Sequence, residues 1–135
     1  MTTLPSGILL IPGSIGELFD KISILEIKAE RIEDKAKVAF VTHELALLHD
    51  ITGTCGTPSA DPTPAITELK TVNERLWEIE DAIRDCERNK NFGPRFVELA
   101  RAVYKTNDRR AELKRDLNML YGSTIIEQKS YAPQA

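Results

Sequence analysis

Residues 14–50, SIGELFDKISILEIKAERIEDKAKVAFVTHELALLHD, place apolar side chains on two sides of one helical cylinder, with charges between them. No other feature constrains the fold as strongly, because a helix with two apolar flanks needs a packing partner on each. One set, Ile15, Leu18, Ile22, Leu25, Ala29, Ile32, Ala36 and Ala39, steps by threes and fours as a heptad seam. A second set, Ile24, Ile27, Val38, Val41, Leu45 and Leu48, lies well round from the first. Unbroken, such a helix would run about 55 Å. Ser14 and Glu17 form a capping-box pattern at its start, each side chain positioned to bond the other's backbone amide.

After this stretch the chain loses its periodicity. Residues 51–63 are rich in Gly, Thr and Pro and read as a linker. A second helix over about residues 64–90 starts with Thr63 as N-cap and Pro64 at the first helical position. Its seam is Ala65, Leu69, Val72, Leu76, Ile79, Ile83 and Cys86. A short connection then favours an antiparallel neighbour. The third helix, about residues 94–121, begins at Pro94 and stops before Gly122, with a seam through Phe96, Leu99, Val103, Thr106, Arg110, Leu113, Leu117 and Leu120. The second helix is net acidic and the third net basic. Residues 8–12 read as a short strand or extended lead-in, and residues 122–135 as an extended tail. The expected fold is therefore all-α: a single domain, residues 1–135, forming a three-helix antiparallel bundle with a long first helix and short extended ends.

Composition narrows the function classes. A chain of 135 residues with 41% hydrophobic and 29% charged residues folds as an ordinary globular domain. The net charge of −3 argues against a nucleic-acid polymer or a membrane surface as partner. Residues 8–11 form an apolar run far shorter than the about 7–15 residues of a signal peptide or the about 20 of a membrane span. With Cys55 and Cys86 read as unpaired thiols, a cytoplasmic location follows. His43-Glu44 lacks a second histidine four residues on, so no metal site is expected, and His43 reads as a core or rim residue. The glycines before Ser14 read as a helix start rather than a phosphate loop. No nucleophile–base pair or cofactor motif is present, so the chain reads as non-catalytic. Glu80, Asp81 and Asp108 are the fallback acid or base candidates.

The polar break in the third seam is the one candidate site. A tight turn near Asn91 sets Asn73 and Trp77 level with Asn107 and Arg110, and Glu80 and Asp81 level with Arg101. With the first helix rising beside the third from the same end, Lys28 and Arg31 reach that height too. Buried charge of this kind must be paired, solvated or ligand-bound. Lys28, Arg31 and Arg110 suit a phosphate or carboxylate. Asn73 and Asn107 would orient the ligand, and Trp77 or Tyr104 would stack on a ring. The expectation is a binder of a small anionic ligand, a nucleotide, nucleotide sugar or other phosphorylated metabolite, with a ligand-sequestering role. The competing reading is a helical oligomerisation or adaptor protein with a structural polar seam. The second apolar set implies self-association as a homodimer or larger.

The chain also resembles a small family of bacterial and phage proteins of unknown function. The resemblance rests on Gly16-Glu17-Leu18-x-Asp20-Lys21, Ile24-Leu25-x-Ile27-Lys28 and Arg31-Ile32, then Asn73-x-x-Leu76-Trp77-x-x-Glu80-Asp81. It continues through Leu99-Ala100-Arg101-x-Val103-Tyr104-x-x-Asn107-Asp108-x-Arg110-Ala111, Lys114-Arg115 and Glu127-x-Lys129-Ser130-Tyr131. It implies no activity. It associates the chain with surface-polysaccharide functions, and it makes the polar residues part of the family pattern.

Overall fold

The computed structural model describes residues 6–132, in which four helices form and no strand does. They are α1 (Ile15–Arg31), α2 (Lys35–Thr52), α3 (Thr63–Arg88) and α4 (Pro94–Tyr121). The expected single helix over residues 14–50 is therefore two. At Ile32 the backbone turns extended (ψ 128°), and Asp34 starts α2 by accepting from the Ala36 and Lys37 amides at 2.9 and 3.3 Å. An aspartate that bonds nearby amides offers the chain a local alternative to continued helix. The heptad spacing carries on across the break, which is why periodicity alone did not reveal it. Folding back lets Val38, Val41, Leu45 and Leu48 meet α1 along the hairpin, with Lys21 Nζ and Glu44 Oε2 2.7 Å apart across it. The α2 part of the second apolar set is thus spent on the hairpin and the core, while Ile24 and Ile27 of α1 face α3 and α4.

Two other boundaries shift. Helix α2 runs to Thr52, so the linker is residues 53–62. Pro62 rather than Thr63 caps α3, with Asp61 Oδ1 accepting from the Thr63 amide at 3.0 Å. Helix α4 matches its expected bounds and ends at Gly122 in the left-handed region, φ 67°. Cys86 is buried on the α3 seam.

Helix α1 is central and packs against all three others. Its start lies against the last turns of α4: the Gly16 amide donates to Asn118 Oδ1 at 2.6 Å. A Cβ at residue 16 would stand 2.4 Å from the Lys114 carbonyl oxygen, so only glycine permits this approach. Successive contacts, Gly16 with Asn118 and Asp20 with Arg110, show α1 antiparallel to α4. The main core holds Phe19, Ile22, Leu69, Val72, Leu113 and Leu117, with Tyr121 tilted on Phe19 at 5.6 Å between ring centres. A second cluster, Ile79, Cys86 and Leu99, joins α3 to α4 alone near their connecting turn. Between the two clusters lies a polar belt.

Candidate functional site

The belt is built on one face of α1. Gly16, Asp20, Ser23 and Ile27 follow one another at steps of four, three and four, and all are buried. Asp20 is the hub, its side chain only 4% exposed. Arg110 of α4 grips it with two parallel bonds, Nε to Oδ1 at 2.8 Å and Nη2 to Oδ2 at 2.5 Å. Asn73 of α3 donates through Nδ2 to Asp20 Oδ1 at 3.0 Å and to Ser23 Oγ at 2.7 Å. Ser23 Oγ in turn donates to the Asp20 carbonyl at 2.7 Å. Three helices are thereby tied at one level.

The network continues outward through Lys114. Its Nζ is 2.5 Å from Glu17 Oε1, 3.3 Å from Glu127 Oε2 and 4.0 Å from Asp20 Oδ2. Glu17 therefore reaches across to α4. Only half of the expected capping box is present, the Glu17 amide donating to Ser14 Oγ at 3.1 Å. Glu127 lies on the extended tail, which Lys114 holds against α4. Burial alone would push the Asp20 carboxyl up. The Arg110 and Asn73 hydrogen bonds and the Arg110 and Lys114 charges outweigh it, so Asp20 titrates below the ordinary aspartate value. Burial alone would push Lys114 down, yet Glu17, Asp20 and Glu127 raise it. Among the described residues no buried side-chain nitrogen or oxygen lacks a partner.

Beside the belt a groove of about 290 Å³ opens between α1, α3 and α4. Its walls are apolar and aromatic: Ile24, Ile27, Leu76, Trp77 and Val103. Asn73, Glu80, Asn107 and Arg110 edge it. Arg110 keeps 28% of its side chain exposed, and its Nη1 makes only a long 3.4 Å bond to Asn107 Oδ1. That nitrogen is the donor the buried pair leaves over. A second groove of about 510 Å³ shares Val103 and Asn107 and adds Tyr104, Asp108, Lys129 and Tyr131.

Of the residues expected at the site, Asn73, Trp77, Asn107 and Arg110 meet in the first groove, and Tyr104 lines the second. Lys28 and Arg31 do not join them. Because α1 runs antiparallel to α4, both lie past the belt. Lys28 is half-buried, and Arg31 reaches Glu74 and Glu78 of α3 at 3.6 and 3.5 Å. Arg101 is exposed and lines neither groove, and Glu80 pairs with Arg84 on its own helix at 3.0 Å. His43, expected at the core or rim, is exposed on α2. Helix register alone left Asp20, Ser23, Lys114 and Glu127 out of the site, although the family pattern includes Asp20, Lys114 and Glu127. The polar residues on the Gly16–Ile27 face were the available signal, since a helical face alternating Gly, Asp and Ser with Ile suits burial against other helices. Among the described residues no cluster of His, Cys, Asp and Glu is arranged to hold a metal ion. None of the helices there is long and apolar enough to cross a membrane.

The belt draws on residues from each helix motif and the tail motif that carried the family resemblance, though not on Lys28 or Arg31: Gly16, Glu17 and Asp20, then Asn73, then Arg110 and Lys114, then Glu127. A family model described as a family of unknown function, DUF6165, matches residues 11–134. No curated protein and no solved structure matches the chain.

Proposed function

The chain belongs to the DUF6165 family of unknown function, and from that premise we propose that it is a non-catalytic binder of a small anionic ligand. The ligand lies in the Trp77 groove and combines a flat ring with one anionic group. Nucleoside monophosphates have this form, whereas nucleotide sugars add a second phosphate and a further ring. The observation that carries the proposal is the pairing, in one groove, of an aromatic and aliphatic wall with the Nη1 edge of a half-buried arginine, engaged only by a long 3.4 Å bond to Asn107 Oδ1. The wall takes a ring by stacking and burial. Arg110 Nη1 and the Asn107 amide take an oxygen at its end. Because Asp20 already neutralises Arg110, the site favours a modest charge over a polyphosphate. The volume, at the low end for ligand pockets, suits one ring rather than a dinucleotide.

Trp77 is the chain's single tryptophan, so it reports directly on the groove. The test is a fluorescence titration with nucleoside monophosphates, nucleotide sugars and inorganic phosphate, run beside thermal shift. The expected result is saturable quenching by a ring-bearing anion. At a hundredfold excess over Kd it should stabilise by about 2.7 kcal/mol. Asn107→Ala should weaken the response without unfolding the chain. Absence of both quenching and stabilisation across that set refutes the proposal.

A second reading follows from the completeness of the belt. Every buried side-chain polar atom among the described residues is already paired, as in a network that sets helix register. In an oligomerisation or adaptor protein of this design, Trp77→Phe and Asn107→Ala would leave every ligand response flat.

A further inference from the structure

We propose that α2 is a self-docking surface, on which a second copy of this chain packs its own α2 antiparallel about a two-fold axis at His43. None of its residues is buried, although its sequence, KAKVAFVTHELALLHDIT, is apolar on nearly every side. A helix of that pattern is normally buried all round. Its inner face, Val38, Val41, Leu45 and Leu48, is half-buried on α1 and the core. The outer face carries the exposed Ala36, Ala39, Phe40, His43 and Ala46 and the half-buried Leu47, with Phe40 80% exposed. Between Ala36 and Leu47 that face holds no carboxylate, lysine or arginine.

The occupant follows from the order of residue sizes and charges. In an antiparallel pair centred on His43, residues at equal distances from the centre on opposite sides face each other. Phe40 then meets Ala46 of the second copy, and Leu47 meets its Ala39. Large side chains oppose small ones twice in each copy, as knobs opposite space. Asp50, exposed in the last turn, comes opposite Ala36 and beside Lys35, so the only charges at the ends of the stripe are of opposite sign. The helix dipoles are also opposed in this arrangement. A parallel pair would set Phe40 on Phe40, Lys35 on Lys35 and Asp50 on Asp50. This stripe differs from the one the sequence suggested, since Val38, Val41, Leu45 and Leu48 are spent within the chain.

The face is one helix wide, below the about 800 Å² per partner of a standard stable interface, so the dimer belongs to the weak class. Sedimentation equilibrium of the full chain from about 5 to about 200 µM should show the mass rising from monomer toward dimer. Phe40→Asp should keep it monomeric throughout, with an unchanged thermal midpoint because Phe40 contributes little to the fold. In a Cys55→Ser background, His43→Cys should be linked to itself by a short bis-maleimide. Thr71→Cys, also exposed but on α3, should not. A wild-type chain still monomeric at the highest concentration overturns the proposal. So does a dimer that survives Phe40→Asp, or one without the residue 43 cross-link.

Discussion

Removing Arg110 tests the belt most directly. Arg110→Met keeps the aliphatic bulk and deletes both charge-assisted bonds to Asp20. Breaking one side of a buried ion pair costs about 3–5 kcal/mol, because the remaining charge is left without its partner. Here the cost is reduced. Asn73 still donates to Asp20, Lys114 stands 4.0 Å away, and Arg110 is itself partly exposed. The expected loss is about 2–3 kcal/mol, or roughly 8 °C in Tm for a chain of this length. Asp20→Asn in the same background should restore part of it, with a coupling of about 2 kcal/mol in the double-mutant cycle. The pH dependence gives an independent reading. In the wild type the folded Asp20 binds protons less readily than the unfolded one, so the pair's stability is present above the ordinary aspartate value. It is lost as pH falls through the lower folded value. Without Arg110 the balance moves toward burial, which favours the protonated acid. The sign then reverses: the folded state takes up the proton first, and the variant's deficit shrinks as pH falls from about 7 toward about 4. Urea unfolding at several pH values measures both. A loss under about 0.5 kcal/mol, or a deficit indifferent to pH, refutes the view of Asp20–Arg110 as the hub.

Gly16→Ala should cost about 2–3 kcal/mol despite better helix propensity, because the added carbon meets a backbone carbonyl that can move only with α4; urea midpoints measure it. Asp34→Ala removes the cap of α2 and should cost about 1 kcal/mol, with faster amide exchange at Ala36 and Lys37. Lys114→Met removes the tail's ion pair with α4, so residues 124–130 should be cut by protease sooner than in the wild type while the helices persist.

Much of this architecture was legible in one dimension. Apolar residues at steps of three and four identified the helical faces, Pro94 and Gly122 marked both ends of α4, and the short turn set α3 against α4 closely enough to bring Trp77 beside Asn107 and Arg110. These are local properties, governed by backbone geometry and by a helix period that sequence spacing records. Tertiary structure decided the rest. Residues 32–34 hold neither glycine nor proline; Asp34 can cap a new helix there, but the packing of α2 back onto α1 decides that it does. The direction of α1 against α4 depends on Gly16 meeting the Lys114 carbonyl, a contact between residues far apart in the chain. That direction moved Lys28 and Arg31 away from the site and brought in Asp20 and Lys114. Whether a charged residue on a helix faces solvent, a partner or a ligand depends on what stands opposite it, and spacing along one helix carries no record of that.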